Sequence, residues 1–175
     1  MMKYIYRDMV SALAYLPYGL ALGIPTALIF LWLMSRSSNE RKKGIASKIP
    51  VAVYAVYLAI LLVITFFSRE SGSSIGGMDL KLFSTWGINT RNNAYVVENV
   101  LLFIPYGFLC SLAFPRARSF FRCAWFGAMT SVTVEWLQMV TERGFFQIDD
   151  ILTNILGTMV GSVIYWLCLG WRHHE

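Results

Sequence analysis

What most limits this chain is the length of its apolar runs. Residues 9–35 pass without a formal charge. A helix rises 1.5 Å per residue, so about 20 apolar residues cross the hydrocarbon layer of a bilayer. Four further stretches are of that length: 49–67 and 151–171 carry no charge, 95–114 carries only Glu98, and 121–141 has Arg122 at its edge and Glu135 inside. A membrane-crossing backbone must satisfy its own hydrogen bonds, which leaves helices or closed barrels. A barrel needs alternating segments of about ten residues, and these runs are continuous. Charged residues make up 14% of the chain and hydrophobic ones 57%, against about a quarter charged in soluble domains. The expectation is an all-α, polytopic integral membrane bundle of five transmembrane helices, with residues 1–175 forming a single domain.

The first run is too long for the apolar part of a signal peptide and has no small-residue cleavage pattern, so it reads as a real span over about 10–34. Pro17, Gly19, Gly23 and Pro25 make it the least regular of the five, with a kink expected where proline removes a backbone donor.

Lys and Arg in short loops mark the cytoplasmic side. Arg36, Arg41, Lys42, Lys43 and Lys48 crowd the loop after the first run, and Arg116, Arg118 and Arg122 the loop after the third. The longer loop 68–94 has only Arg69, Lys81 and Arg91. The amino terminus is therefore expected outside and the carboxyl terminus in the cytoplasm, with Lys3 and Arg7 outweighed. The net charge of +5 is a topology signal. No spaced basic and aromatic array points to nucleic acid. Cys110, Cys123 and Cys168 fall toward the cytoplasmic half and read as small packing residues. No CxxC spacing exists, and the two histidines, His173 and His174, sit together near the carboxyl end, so no zinc site is expected.

The polar residues gather at one depth. Glu135 lies about 9 Å inside the outer end of its run, and Asn154 about 9 Å below Ile148. Glu98 and Asn99 are a turn into the third run. Arg69 sits at the outer end of the second run, and Arg143, Asp149 and Asp150 sit in the outer loop before the fifth. Side chains three, four and seven apart share a helix face, which puts Ser131, Glu135, Gln138 and Glu142 on one stripe and Asp150, Asn154, Gly157 and Gly161 on another. The Gly157–Gly161 pair is a GxxxG step, which lets helices approach closely. Ala124, Gly127, Ala128 and Ser131 offer small partners on the fourth run, so the fourth and fifth helices are expected to pack tightly at mid-depth. An intramembrane carboxylate costs about 2.5–3.5 kcal/mol even on lenient scales. Glu98 and Glu135 should therefore be paired or line water, with Arg69 and Arg143 as the nearest cations. Asp149 suits a helix N-terminus, whereas Asp150 faces the cleft. Asn99, Gln138 and Asn154 serve equally as interhelical hydrogen-bond glue or as ligands.

FSRE at 67–70, ENVLLFIPYGF at 98–108, SVTVEWLQ at 131–138 and RGFFQIDDILTNILGTMVG at 143–161, in this order and spacing, resemble the VanZ-like family, over a core of about 55–170. MDLKLFSTW at 78–86 lacks the proline that family members tend to carry there. The first span is not part of the resemblance. The resemblance implies a multi-pass protein of the bacterial plasma membrane, associated with resistance to the glycopeptide antibiotic teicoplanin. It gives Arg69, Glu98, Asn99, Glu135, Gln138, Arg143, Asp149, Asp150 and Asn154 as motif positions, without catalytic roles.

Three functions compete. The first is an outward-facing cleft that recognises a membrane lipid or a lipid-linked cell-wall precursor. The second is an enzyme on such a lipid, with Glu135 or Asp150 as general base and Arg69 or Arg143 as anion clamp. No cofactor is implied, although paired carboxylates would suit a divalent cation such as Mg²⁺ or Ca²⁺. The cleft offers no histidine, outer-side cysteine or nucleophile motif. The third, a channel or transporter, would need polar residues through the inner half as well. MDLKLFSTW reads as an interfacial segment or a lid.

Overall fold

A computed structural model describes residues 1–36, 47–67, 69 and 77–169. Arg41, Lys42, Lys43, Glu70, Trp171, His173 and His174 lie outside the described residues. The elements are α1 (Met2–Leu13), α2 (Leu16–Arg36), α3 (Ile49–Phe67), β1 (Met78–Asp79), α4 (Thr90–Ala113), a 3₁₀ turn (Pro115–Arg118), α5 (Phe120–Val140), β2 (Phe146–Gln147) and α6 (Ile148–Leu169). The chain is a helical membrane protein. The two short strands form a parallel pair, Met78 beside Phe146 and Asp79 beside Gln147.

Four helices, α2, α3, α4 and α6, are long and apolar enough to cross a membrane. The fifth expected span, α5, has 21 residues, but Arg122, Glu135, Gln138 and its Ser and Thr residues keep it from meeting the same standard. The first apolar run is also not one helix. It divides at Ala14–Tyr15 into α1 and α2. The reason is Pro17, whose ring would strike the carbonyl four residues back, and that residue, Leu13, is where α1 stops. Pro25 is carried inside α2.

Close approach organises the bundle. On α2, Gly19, Gly23 and Ala27 form a buried stripe. A β-carbon at Gly19 would stand 2.8 Å from the Ile60 Cα, and one at Gly23 3.0 Å from the Val56 Cα. The descending register makes α2 and α3 antiparallel. On α6, β-carbons at Gly157 and Gly161 would fall on the carbonyl oxygens of Val100 and Ile104, so α4 and α6 run parallel. Gly107 on α4 returns the contact, facing the Thr158 backbone. This corrects the expected partner. The GxxxG step seats α4, the third expected span, and not α5, because α4 presents bare backbone at Gly107 and carbonyls at the matching spacing. Glycine Cα–H groups facing carbonyls add weak hydrogen bonds of the kind found at helix–helix interfaces. The helix α5 meets α6 one face round, with the Thr158 side chain filling the space over Gly127.

Leu61, Phe103, Tyr106, Cys110, Ala117, Cys123 and Val134 form the buried apolar core. Small polar groups thread it. Ser111 bonds Ser162 at 3.4 Å and Cys123 at 3.5 Å, and Tyr106 bonds Thr130 at 2.7 Å. These groups are enclosed and satisfied locally.

Candidate functional site

Each polar position is set by the helix that carries it. On α5, Ser131, Glu135 and Gln138 are buried on one face, as the stripe predicts. Glu142 leaves that stripe. It lies past the helix end, exposed, with φ +56°. On α6, Asp150 and Asn154 are buried one turn apart.

Glu135 is 2% exposed, and its Oε2 accepts the Gln147 amide at 3.2 Å. Asp150, 5% exposed, lies within electrostatic reach of Glu135. The Asn99 side chain neighbours Asp150, and Arg69 acts on both carboxylates. No ion pair within 4.0 Å joins Arg69 to either, among the described residues. The Arg69 guanidinium lies over Gly144, its Nη1 2.6 Å from where a β-carbon would be. The missing side chain is its room. Around the same point sits the Gln138 Oε1, buried without a hydrogen-bond partner, while its Nε2 donates to the Thr65 carbonyl at 2.8 Å. Asn154 donates from Nδ2 to Ser131 at 2.8 Å and keeps a buried Oδ1 without a partner. The structure thus brings together Arg69, Asn99, Glu135, Gln138, Asp150 and, one turn deeper, Asn154.

Three expected members stand apart. Arg143 donates from Nη1 to the carbonyls of Arg69 at 2.7 Å and Phe66 at 3.3 Å, and its guanidinium lies over the Phe66 ring. It closes the carboxyl end of α3, where a cation suits unpaired carbonyls, and pairs with no carboxylate among the described residues. Arg143→Ala should therefore lower thermal stability in detergent by about 1.5–3 kcal/mol, the usual worth of charge-assisted hydrogen bonds. Unfolding followed by circular dichroism would measure it, and an unchanged midpoint would contradict the capping role.

Asp149 holds a loop. Its Oδ1 accepts the Phe83 amide at 2.7 Å, and its Oδ2 accepts the Thr85 amide at 2.8 Å and the Ser84 hydroxyl at 3.4 Å. Nearby, Asp79 accepts the Ser84 hydroxyl at 2.8 Å and the Lys81 amide at 3.1 Å. The Ser84 hydroxyl, with the Lys81 amide, holds the Asp79 carboxyl below its ordinary range. Glu98 faces the other way, with Asp8, Arg91 and Arg7 as its charged neighbours.

Gly144 and Thr65 were not legible as site residues. The adjacency of Gly144 to a motif arginine was the one available signal, since a glycine there admits a bulky neighbour.

Residues 51–169 match the family model described as VanZ/LLP1. The chain belongs to the VanZ/LLP1 family. A curated relative, Protein VanZ of Enterococcus faecium, is 32% identical over 78 residues, which is 45% of this chain and 48% of that protein. The chain thus spans about half the length of this relative. No solved structure matches. All six gathered residues lie within the VanZ/LLP1 region, whereas α1 and α2 precede it. Among the described residues no group of three or more His, Cys, Asp and Glu is placed to hold a metal ion.

Proposed function

We propose that this VanZ/LLP1 protein is a multi-pass protein of the bacterial plasma membrane. Its polar intramembrane cleft, formed by Arg69, Asn99, Glu135, Gln138, Asp150 and Asn154, opens toward the outside and recognises a membrane lipid or lipid-linked cell-wall precursor. Through that recognition it alters access of glycopeptide antibiotics such as teicoplanin to the envelope. Five helices, α2 to α6, cross the bilayer, with the amino terminus outside and the carboxyl terminus in the cytoplasm. Arg36, Lys48, Arg116, Arg118 and Arg122 all lie at the helix ends opposite the cleft, which supports this orientation.

One observation carries the reading. Among the described residues, a guanidinium without a direct ionic partner is held over a bare glycine, beside two buried carboxylates and a buried amide oxygen that lacks a donor. Such groups are costly in a bilayer and suit a ligand presenting an anion and hydrogen-bond donors together. The Gly127, Gly157 and Gly161 contacts support the helices that carry it but do not use these side chains. A second reading is an enzyme on the same lipid. In it Glu135 or Asp150 is the general base and Arg69 the anion clamp. The closeness of the two carboxylates favours it.

The test is Glu135→Gln and Asp150→Asn in cells challenged with teicoplanin, with protein levels followed. Both changes keep size and hydrogen bonding and remove charge. Resistance should fall while the amount of protein stays constant. Unchanged resistance at normal expression would remove both residues from the function.

A further inference from the structure

Helix α1 lies outside the family region and has three distinct faces. Ile5, buried, with the partly buried Tyr4, Asp8 and Ala12, turns toward the protein. Lys3, Arg7 and Ser11 repeat every fourth residue on an exposed polar face. Between these, Met2, Tyr6, Met9, Val10 and Leu13 form an exposed apolar face, Tyr6 at 74% and Leu13 at 62%. At 12 residues the helix is about 18 Å long, too short to span a bilayer. Its position is fixed by α4. The Arg91 guanidinium lies 5.9 Å from the Tyr4 ring centroid, and Arg7 and Asp8 are charged neighbours of Glu98. Both contacts fall in the first three turns of α4, at the end of the bundle that carries Glu135 and Asp150. A two-residue turn, Ala14–Tyr15, then joins α1 to α2, whose exposed Leu20, Leu22, Ile24 and Leu28 belong to the lipid-facing wall.

We propose that α1 is an interfacial helix lying in the membrane surface. Bilayer lipid covers the face of Met2, Tyr6, Met9, Val10 and Leu13, and Lys3 reaches the headgroup phosphates, while Arg7 is paired to Asp8 at 3.0 Å. Three-sided patterning is what a helix needs where protein, water and hydrocarbon meet, because a helix with an apolar stripe and a basic polar face sits at the headgroup–acyl boundary. The occupant follows from continuity. Exposed apolar residues continue along the chain from Leu13 through Tyr18 to Leu20 and Leu22 on the apolar helix α2, which lipid would meet. The arrangement also places α1 as a cover over Glu98, whose Oε1 is buried without a hydrogen-bond partner.

The full chain carrying Cys168→Ser, which removes the exposed thiol, would be reconstituted in discs of phosphatidylcholine and phosphatidylglycerol. Single spin labels would be placed in turn at Met9, Val10 and Leu13, and at Lys3 and Ser11. Relaxation by oxygen should dominate at the first three, and relaxation by a water-soluble nickel chelate at the other two. The accessibility ratio should swing severalfold with a helical period. Uniform nickel access would overturn the proposal. So would spin–spin broadening at Met9 that disappears on dilution with unlabelled protein, since a second copy would then occupy the face. Circular dichroism of each labelled protein keeps loss of fold separate from loss of lipid contact.

Discussion

Gly161→Ala should be, with Gly107→Ala, among the most damaging methyl additions at the described glycines. A β-carbon at Gly161 would clash with the Ile104 carbonyl oxygen and press on the Phe108 amide nitrogen. Both are main-chain atoms inside α4, so no side chain can swing aside. Overpacking in a well-packed core costs about 1–3 kcal/mol, occasionally more. Here relief requires α4 and α6 to separate along their whole contact, because Gly157 and Gly107 hold the same interface closed. The expected result is a drop in the amount of monodisperse protein recovered in detergent and a melting midpoint lowered by several degrees. Gly87→Ala is the control of opposite character, with φ +83° and nothing within 4 Å of the added carbon. Its cost is local backbone strain, leaving helix packing alone. Equal recovery of the two variants would mean that α4 and α6 do not meet as described.

Asp149→Ala should free the segment that crosses the end of the bundle. The carboxylate holds the Phe83 and Thr85 amides and the Ser84 hydroxyl. Hydrogen bonds to a charged group contribute about 1.5–3 kcal/mol each, and an orphaned buried donor costs comparably. Phe83 is held at φ +60°, a left-handed conformation that costs a residue with a β-carbon about 1–2 kcal/mol. The Asp149 bonds are what oppose that strain. Hydrogen exchange at the Phe83 and Thr85 amides should accelerate by orders of magnitude in Asp149→Ala and by less in Asp149→Asn, which keeps one acceptor oxygen. Adding Phe83→Gly to Asp149→Ala should slow exchange again by relieving the strain. If exchange in Asp149→Ala matches the parent, another contact fixes the loop.

Much of the candidate cluster was legible because helical periodicity does most of the work. Ser131, Glu135 and Gln138 share a face at any packing angle, as do Asp150 and Asn154, and their common depth follows from rise per residue. What periodicity cannot give is the azimuth of one helix relative to another. Glu98 and Asn99 are adjacent in sequence and about 100° apart on α4. Only the packing decided that Asn99 meets Asp150 while Glu98 turns to α1. The GxxxG step showed that some backbone must come close to α6, but the small residues on α5 were as eligible as Gly107 until the register was known. Arg69 and Arg143 were interchangeable as candidate cations. The placement of Arg69 separates them, bringing its carbonyl to Arg143 and leaving its guanidinium toward the carboxylates. The break before α2 was the reverse case, since the clash of Pro17 with Leu13 follows from the sequence once the rule is applied at that spacing.

The parallel pairing of α4 with α6 carries a consequence for biogenesis. These two helices hold the interior together, yet the whole of α5 is made between them. As domains emerge from the ribosome in sequence order, α4 waits with its glycine face unoccupied until α6 arrives. Glu135 and Ser131 are made before the Gln147 amide and the Asn154 side chain that bond them. The nascent protein must therefore pass through a stage in which its most polar surfaces are bare. A quality-control protease that reads unshielded charge in a bilayer would find its substrate in that interval, before α6 docks.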